Sequence, residues 1–388
     1  MTNDQPIRAL ILSGGGGRGA FHAGVYQYLM SQNKGNVDPA HSGPWKPDIV
    51  VGTSIGAVNG AAIAQGMPAH ELANVWRQLE EQDIQGIPPR MRGMARWVVQ
   101  HIFGQLMQTD LPRTDPAIST SPVPEKFWPP LPFLPSWLAE RFVGRWINLL
   151  DTGPLKETLV SRFKFDEGRL ATSDTDLLIA ATKVQTGERV LFSNRKVIDP
   201  KSGLERSDVH QRITRERILA SCSIPLVYPW TEDRETNALY WDGALVANTP
   251  LGAALDMMQM RTDVNTPAEI VIVMMTPWLE SDGKNPARTH DVPQSFGDAI
   301  TWVLDWMLLS SFRENLKMIQ AFNELAERER VESKPPYRYR IVKPVIVAPE
   351  TFKDAQRVID YDGMVSAGLI VEGCDAAQKA FTNAFPKP

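Results

Sequence analysis

Two cysteines in 388 residues, Cys222 and Cys374, are too few for a disulfide framework. Their contexts are unrelated and offer no metal-ligand spacing, so no metal is expected, and the pattern fits a reducing compartment. The N-terminus is polar and lacks the basic-then-apolar pattern of a secretory leader, which adds the expectation of a cytoplasmic protein, with signal-independent export left open. Long apolar runs are missing as well. The best candidate, residues 299–309, falls short of the roughly 18 residues of a membrane span and contains Asp305. There is no excess of positive charge: 41 Lys and Arg stand against 45 Asp and Glu, a net charge of -4. With no basic run interleaved with aromatics, nothing points to a nucleic-acid partner. No repeat of fixed period is present, and oligomeric state is not legible. The remaining balance, 43% hydrophobic and 22% charged, is that of a soluble globular chain long enough for one large domain.

What is present centres on Val50-Val51-Gly52-Thr53-Ser54-Ile55-Gly56-Ala57. Two β-branched residues run into Gly-x-Ser-x-Gly, and small residues follow to Ala64. This is the pattern of a serine held on a sharp turn between a strand and a helix. Ala57, Gly60, Ala61 and Ala64 share one helical face, which can approach a sheet closely. The helix N-terminus directs unpaired N–H groups and a positive dipole end at the serine. The bland alternative is a serine in an ordinary strand-to-helix turn.

A second strand–turn–helix unit opens the chain. Residues 7–12 read as a buried strand, Ser13-Gly14-Gly15-Gly16-Gly17-Arg18-Gly19 as a glycine loop, and residues 20–30 as a helix. This arrangement binds anions. It suits a nucleotide cradle, because Gly14-x-Gly16-x-x-Gly19 has the dinucleotide form. It also suits an oxyanion hole of backbone N–H groups, or a turn with no ligand. The dinucleotide reading wants an acidic residue closing the second strand. That strand ends instead in Gly52-Thr53-Ser54, so the oxyanion hole weighs more. No Gly-Lys-Ser/Thr follows the loop, which excludes a Walker loop.

Further along, residues 48–51 read as a strand and 70–81 as a helix. Residues 84–150 change in composition, with proline concentrated in 112–135 and Trp128, Phe133, Trp137, Phe142 and Trp146 crowding the second half. We read them as an insertion within a single domain spanning 1–388. It is a candidate lid touching a lipid surface, set against the commoner fate of such aromatics, packing on their own core. Strands are expected at 175–182, 189–193, 269–275 and 340–347, and helices at 213–221, 251–260, 295–332 and 366–380. Strands alternating with helices argue for a layered α/β fold.

A serine hydroxyl needs a base within hydrogen-bond reach. None of the six histidines (His22, His41, His70, His101, His210, His290) sits in the short turn after a strand where such a base is usually found. His22, nearest the glycine loop, reads as helix packing. Asp242, in Trp241-Asp242-Gly243-Ala244, is the better candidate, although an isolated Asp-Gly is more often a surface turn.

The three motifs taken together, Gly14 to Gly19, Gly52 to Gly56, and Asp242-Gly243-Ala244, closely resemble the patatin-like phospholipase family. Leu150-Asp151-Thr152-Gly153-Pro154-Leu155, Ala220-Ser221-Cys222-Ser223-Ile224-Pro225 and Asn248-Thr249-Pro250 support the resemblance. It implies a three-layer α/β/α fold with a central, mostly parallel sheet and a helical or irregular lid insertion. It also implies an acyl-ester hydrolase acting on phospholipid or other lipid esters without a cofactor, with transient contact at a membrane or lipid interface. By that resemblance Ser54 is the nucleophile, Asp242 the general base, and Gly15, Gly16 and Gly17 the oxyanion hole, with Arg18 steadying the loop or the charge. Burial beside Trp241 is expected to raise the Asp242 pKa from its reference of about 3.9. An acyltransferase or thioesterase using the same chemistry is the near alternative, and a non-catalytic lipid- or nucleotide-binding module the distant one. Residues 84–150 do not align with the family pattern, and those past Asp282 match loosely.

Overall fold

A computed structural model describes residues 5–31, 44–86, 150–199, 202–277, 296–335, 337–350 and 361–384. Strand β1 (Ile7–Leu12) carries the glycine loop, whose second half is a 3-10 turn (Gly16–Gly19), into α1 (Ala20–Met30). Strand β2 (Ile49–Thr53) runs through Ser54 into α2 (Ile55–Ala64), followed by α3 (Ala69–Gln78) and the short α4 (Glu81–Ile84). Helices α5 (Gly153–Ser161) and α6 (Glu167–Ala171) lead to β3 (Asp176–Lys183), β4 (Arg189–Ser193) and β5 (Val209–Gln211). Then come α7 (Arg215–Ser221), β6 (Thr231–Asp233), β7 (Ala238–Asp242), the one-turn α8 (Ala244–Ala247) and α9 (Leu251–Arg261). Strand β8 (Ala268–Val273), α10 (Phe296–Glu332), β9 (Val345–Val347) and α11 (Gly363–Ala384) complete the order.

The strands form one sheet in the order β5-β4-β3-β2-β1-β8-β9, with β7 also paired to β3 and β6 to β7. Neighbours β1–β2, β2–β3, β1–β8, β8–β9 and β4–β5 are parallel, whereas β4 and β7 run antiparallel to β3. The central strands are apolar through their middles, with polar residues near their ends, because both faces are covered. Along β1, Leu10 and Leu12 join the core under α1, α2, α3 and α11, while Ile7, Ala9 and Ile11 join the core under α9 and α10. A strand's period of two thus feeds two layers of helix from one continuous hydrophobic run. The result is a three-layer α/β/α architecture with a mostly parallel sheet.

Strand β3 positions the candidate site. It is longer than its parallel neighbour: β2 pairs with it as far as Thr53 opposite Ala180, and β7 then takes over with Asp242 opposite Ala181. The C-terminal ends of β2 and β7 therefore meet head to head along one edge of β3.

The strand expected at 340–347 is formed only over Val345–Val347. Upstream, Asn323 occupies the backbone bonding positions a ladder would use, donating to the Val342 carbonyl at 2.7 Å and accepting its N–H at 2.8 Å. The Arg340 side chain turns toward the end of α9, where it donates to the Thr262 hydroxyl at 2.8 Å. The candidate lid lies almost wholly in 87–149, outside the described residues, so only its borders are visible. Gly86 and Asp151 form an antiparallel bridge, with N–H···O distances of 3.0 and 2.8 Å.

Candidate active site

Ser54 stands between β2 and α2 with φ 56° and ψ -128°. A non-glycine residue in this region costs on the order of 1–3 kcal/mol and needs its surroundings to hold it. The surroundings here are backbone: a Cβ added to Gly52 would lie 2.3 Å from the Gly56 carbonyl oxygen, and one on Gly56 2.2 Å from that of Leu12. Only glycine lets strand, turn and helix close this tightly. Ser54 also occupies the N-cap of α2, where serine usually accepts a hydrogen bond from the first turn. It makes no such side-chain bond. The hydroxyl is left for another use, inside a site where Ser54 is 4% exposed.

Asp242, 2% exposed, is the last residue of β7. Its Oδ1 accepts the Ala244 N–H at 2.8 Å. Its Oδ2 is buried without a partner of ordinary hydrogen-bond geometry. Burial lifts the Asp242 pKa from 3.8 to about 7, against the opposing pull of hydrogen bonding from the Ser54 hydroxyl and the Ala244 amide. The expected rise is present, but its source is different. Trp241 is only half-buried and, as the preceding strand residue, points to the opposite face. The apolar surroundings come from the interior, where Cys222 is buried as well and its thiol is pushed up by burial and then by the Asp242 charge.

The glycine loop completes the cluster. A Cβ on Gly14 would lie 3.0 Å from that of Ser54, so the loop backbone passes directly beside the serine. Asn248 Oδ1 accepts the Gly14 N–H at 2.9 Å and fixes the loop's first turn. Gly16, at φ 57°, turns the chain into the 3-10 segment, whose leading N–H groups have no carbonyl a turn behind them to bond. Arg18 is buried, and its guanidinium bonds both the loop and the chain after β8. Nε donates to the Gly15 carbonyl at 3.3 Å and a terminal nitrogen to that of Met275 at 3.1 Å.

His22 is fully buried, and burial lowers its pKa to about 3, so it is neutral. Asn59 Nδ2 lies 3.2 Å from its Nδ1, and the same amide donates to the Gly19 carbonyl at 2.9 Å. His22 is packing, as its helical position indicated. Two supporting contacts had no sequence signal: Thr53 donates to the Ala247 carbonyl and Thr182 to that of Asp242, each at 2.9 Å. Among the described residues no group of three or more His, Cys, Asp or Glu side chains is gathered to hold a metal. Nor is any described helix long and apolar enough to cross a membrane.

The family model for patatin-like phospholipases matches residues 10–255, a span that takes in the glycine loop, the Ser54 turn and Asp242 and stops short of Met275. The chain belongs to the patatin-like phospholipase family. Its class is therefore that of the lipid acyl hydrolases. The curated proteins offer no match to this patatin-like chain. Among solved structures it is similar to VipD from Legionella pneumophila, at 12% identity and a TM-score of 0.40 over 98% of this chain and 67% of that one. So loose a likeness carries no argument of its own.

Proposed function

We propose that this patatin-like protein hydrolyses acyl esters of lipids through a Ser54–Asp242 dyad and a glycine-loop oxyanion hole. One observation carries the reading: β3 brings the ends of β2 and β7 together, so that a buried carboxyl with a pKa near 7 meets a hydroxyl that caps nothing. Ser54 Oγ attacks the ester carbonyl while its proton passes to the Asp242 carboxylate. The N–H groups of Gly15, Gly16 and Gly17 receive the charge that develops on the carbonyl oxygen. Asp242 then returns the proton to the departing alcohol, leaving an acyl-Ser54 ester. Water, deprotonated by the same carboxylate, releases the fatty acid and restores the serine. A base whose pKa lies near the working pH is well matched to this double duty.

The surroundings suit a substrate held in an aggregate. Leu226, Trp230, Leu245 and Val246 are exposed apolar side chains on the segments that follow Ser223 and Asp242. An ester within a lipid surface would meet them on the way to the serine. The test is hydrolysis of p-nitrophenyl esters of graded chain length and of phospholipid vesicles. Ser54→Ala is expected to lower turnover by at least about 10³-fold while leaving vesicle co-sedimentation intact. Equal turnover by the two proteins would overturn the proposal.

A further inference from the structure

We infer that Ser221 is a positioning residue for the reaction: its hydroxyl ties the backbone of the Ser54 turn to β3 and so fixes where the nucleophile stands relative to Asp242. The inference rests on the proposed roles of Ser54 and Asp242 but concerns a different residue.

Ser221 closes α7 and is wholly buried. A serine hydroxyl has one proton to give and lone pairs to receive with. Here both are in use: Oγ donates to the Ala180 carbonyl at 2.6 Å and accepts the Ser54 N–H at 2.8 Å. Ala180 is the β3 residue at the seam. Thr53 pairs with it, Asp242 pairs with the next residue, and Gly243 packs so closely that a Cβ there would lie 2.3 Å from the Ala180 oxygen. Two residues past Ser221, the Ser223 carbonyl accepts the Asp242 N–H at 2.8 Å. Ser223 is itself held, donating through Oγ to the Leu219 carbonyl at 2.9 Å and lying 2.8 Å from the Thr231 hydroxyl.

One short turn therefore holds the backbone N–H of both reacting residues. The two attachments are not equivalent. The Asp242 bond is made by a carbonyl that any residue at 223 would supply. The Ser54 bond is made by a side chain, so it depends on what residue 221 is. It also acts on the one backbone in the site that occupies a left-handed conformation without being glycine. Such a turn has other conformations open to it, and a bond to its N–H selects among them. Without the hydroxyl, two buried backbone groups lose a partner at once, and the Ser54 turn is freed to relax. A displacement near 1 Å at a reacting atom is enough to cost on the order of 10²-fold in rate.

The experiment compares wild type, Ser221→Ala, Ser221→Cys and Ser221→Thr. Three readouts are taken: steady-state hydrolysis of a p-nitrophenyl ester, the rate of covalent labelling by a fluorophosphonate, and far-UV circular dichroism. Ser221→Ala is expected to lower kcat and the labelling rate together by about 10²-fold, with KM within about twofold and an unchanged spectrum. Ser221→Cys keeps the volume but not a strong donor and acceptor, so it is expected to follow alanine, and it decides the matter should the alanine variant not fold. Ser221→Thr retains the hydroxyl and is expected to recover most of the labelling rate. Folded Ser221→Ala or Ser221→Cys protein that labels within threefold of wild type overturns the inference. A wild-type protein that takes up no fluorophosphonate at Ser54 overturns the assignment of the nucleophile instead.

Discussion

At the scale of single residues, the cost of Asp242 is also its use. Its folded-state pKa of about 7 lies above the reference of 3.8, so the folded chain holds the proton more tightly than the unfolded one. The stability tied to this group is complete below pH 3.8 and is lost as the pH rises through about 7. At 1.36 kcal/mol per pH unit, the loss approaches on the order of 4 kcal/mol. Under the proposed mechanism the same titration switches the base on, so activity and stability are expected to run in opposite directions across it. Hydrolysis is expected to fall tenfold per pH unit below about pH 7. Urea denaturation is expected to show Asp242→Asn matching wild type near pH 4 and exceeding it by a few kcal/mol at pH 8.5. A wild type as stable at pH 8.5 as its asparagine variant would mean that the carboxyl is not carried as a buried charge. The tight backbone at Ser54 and at Asp242 was legible in the sequence, because glycines beside a serine and an aspartate mark it. The work done by Ser221 and Asn248 was not. Those contacts span 167 and 234 residues, and nothing local to either side chain announces its partner.

At the scale of elements, legibility followed length and pattern. Helix α1 is found at the residues its pattern indicated, Ala20–Met30, and β4 at Arg189–Ser193. The three-residue strands β5 and β6 passed unnoticed, being too short for a period of two to show. Strand β7 was met only as a motif around Asp242, since its half-exposed alternation reads equally as a turn. Helix α7 shows what such a small strand does. Arg217, 2% exposed in its side chain, donates through Nε and a terminal nitrogen to Asp233 Oδ2 at 3.0 and 2.9 Å. Its Cζ also stacks 4.9 Å from the Phe192 ring. That pair fastens α7, and with it the Ser221–Ser223 turn, to β6. Arg217→Ala leaves the buried Asp233 carboxylate without its cation, and chemical denaturation is expected to register a loss of about 3–5 kcal/mol. An Asp233→Asn change made in the same chain should return part of it.

At the scale of the whole molecule, the region that carries the family signature does not contain all the partners of its own central strand. The signature ends at residue 255, yet β1 is sandwiched between β2 and β8, and β8 begins at Ala268. Arg18, which holds the glycine loop, reaches the carbonyl of Met275. Helix α1 lies against α11 so closely that a Cβ on Gly24 would come within 1.9 Å of the Ile370 carbonyl oxygen. A chain cut after residue 260 keeps Ser54 and Asp242 but exposes the edge of β1 that β8 covers and the face of α1 that packs on α11. It is expected to be insoluble, or to lack cooperative unfolding by circular dichroism, whereas a soluble and active fragment would refute this. The bridge between Gly86 and Asp151 has the reverse implication. It draws the chain on either side of 87–149 to a single pinched neck, so the described framework enters and leaves that stretch at adjacent points. A change of length between those two points leaves their separation to be set by the bridge itself.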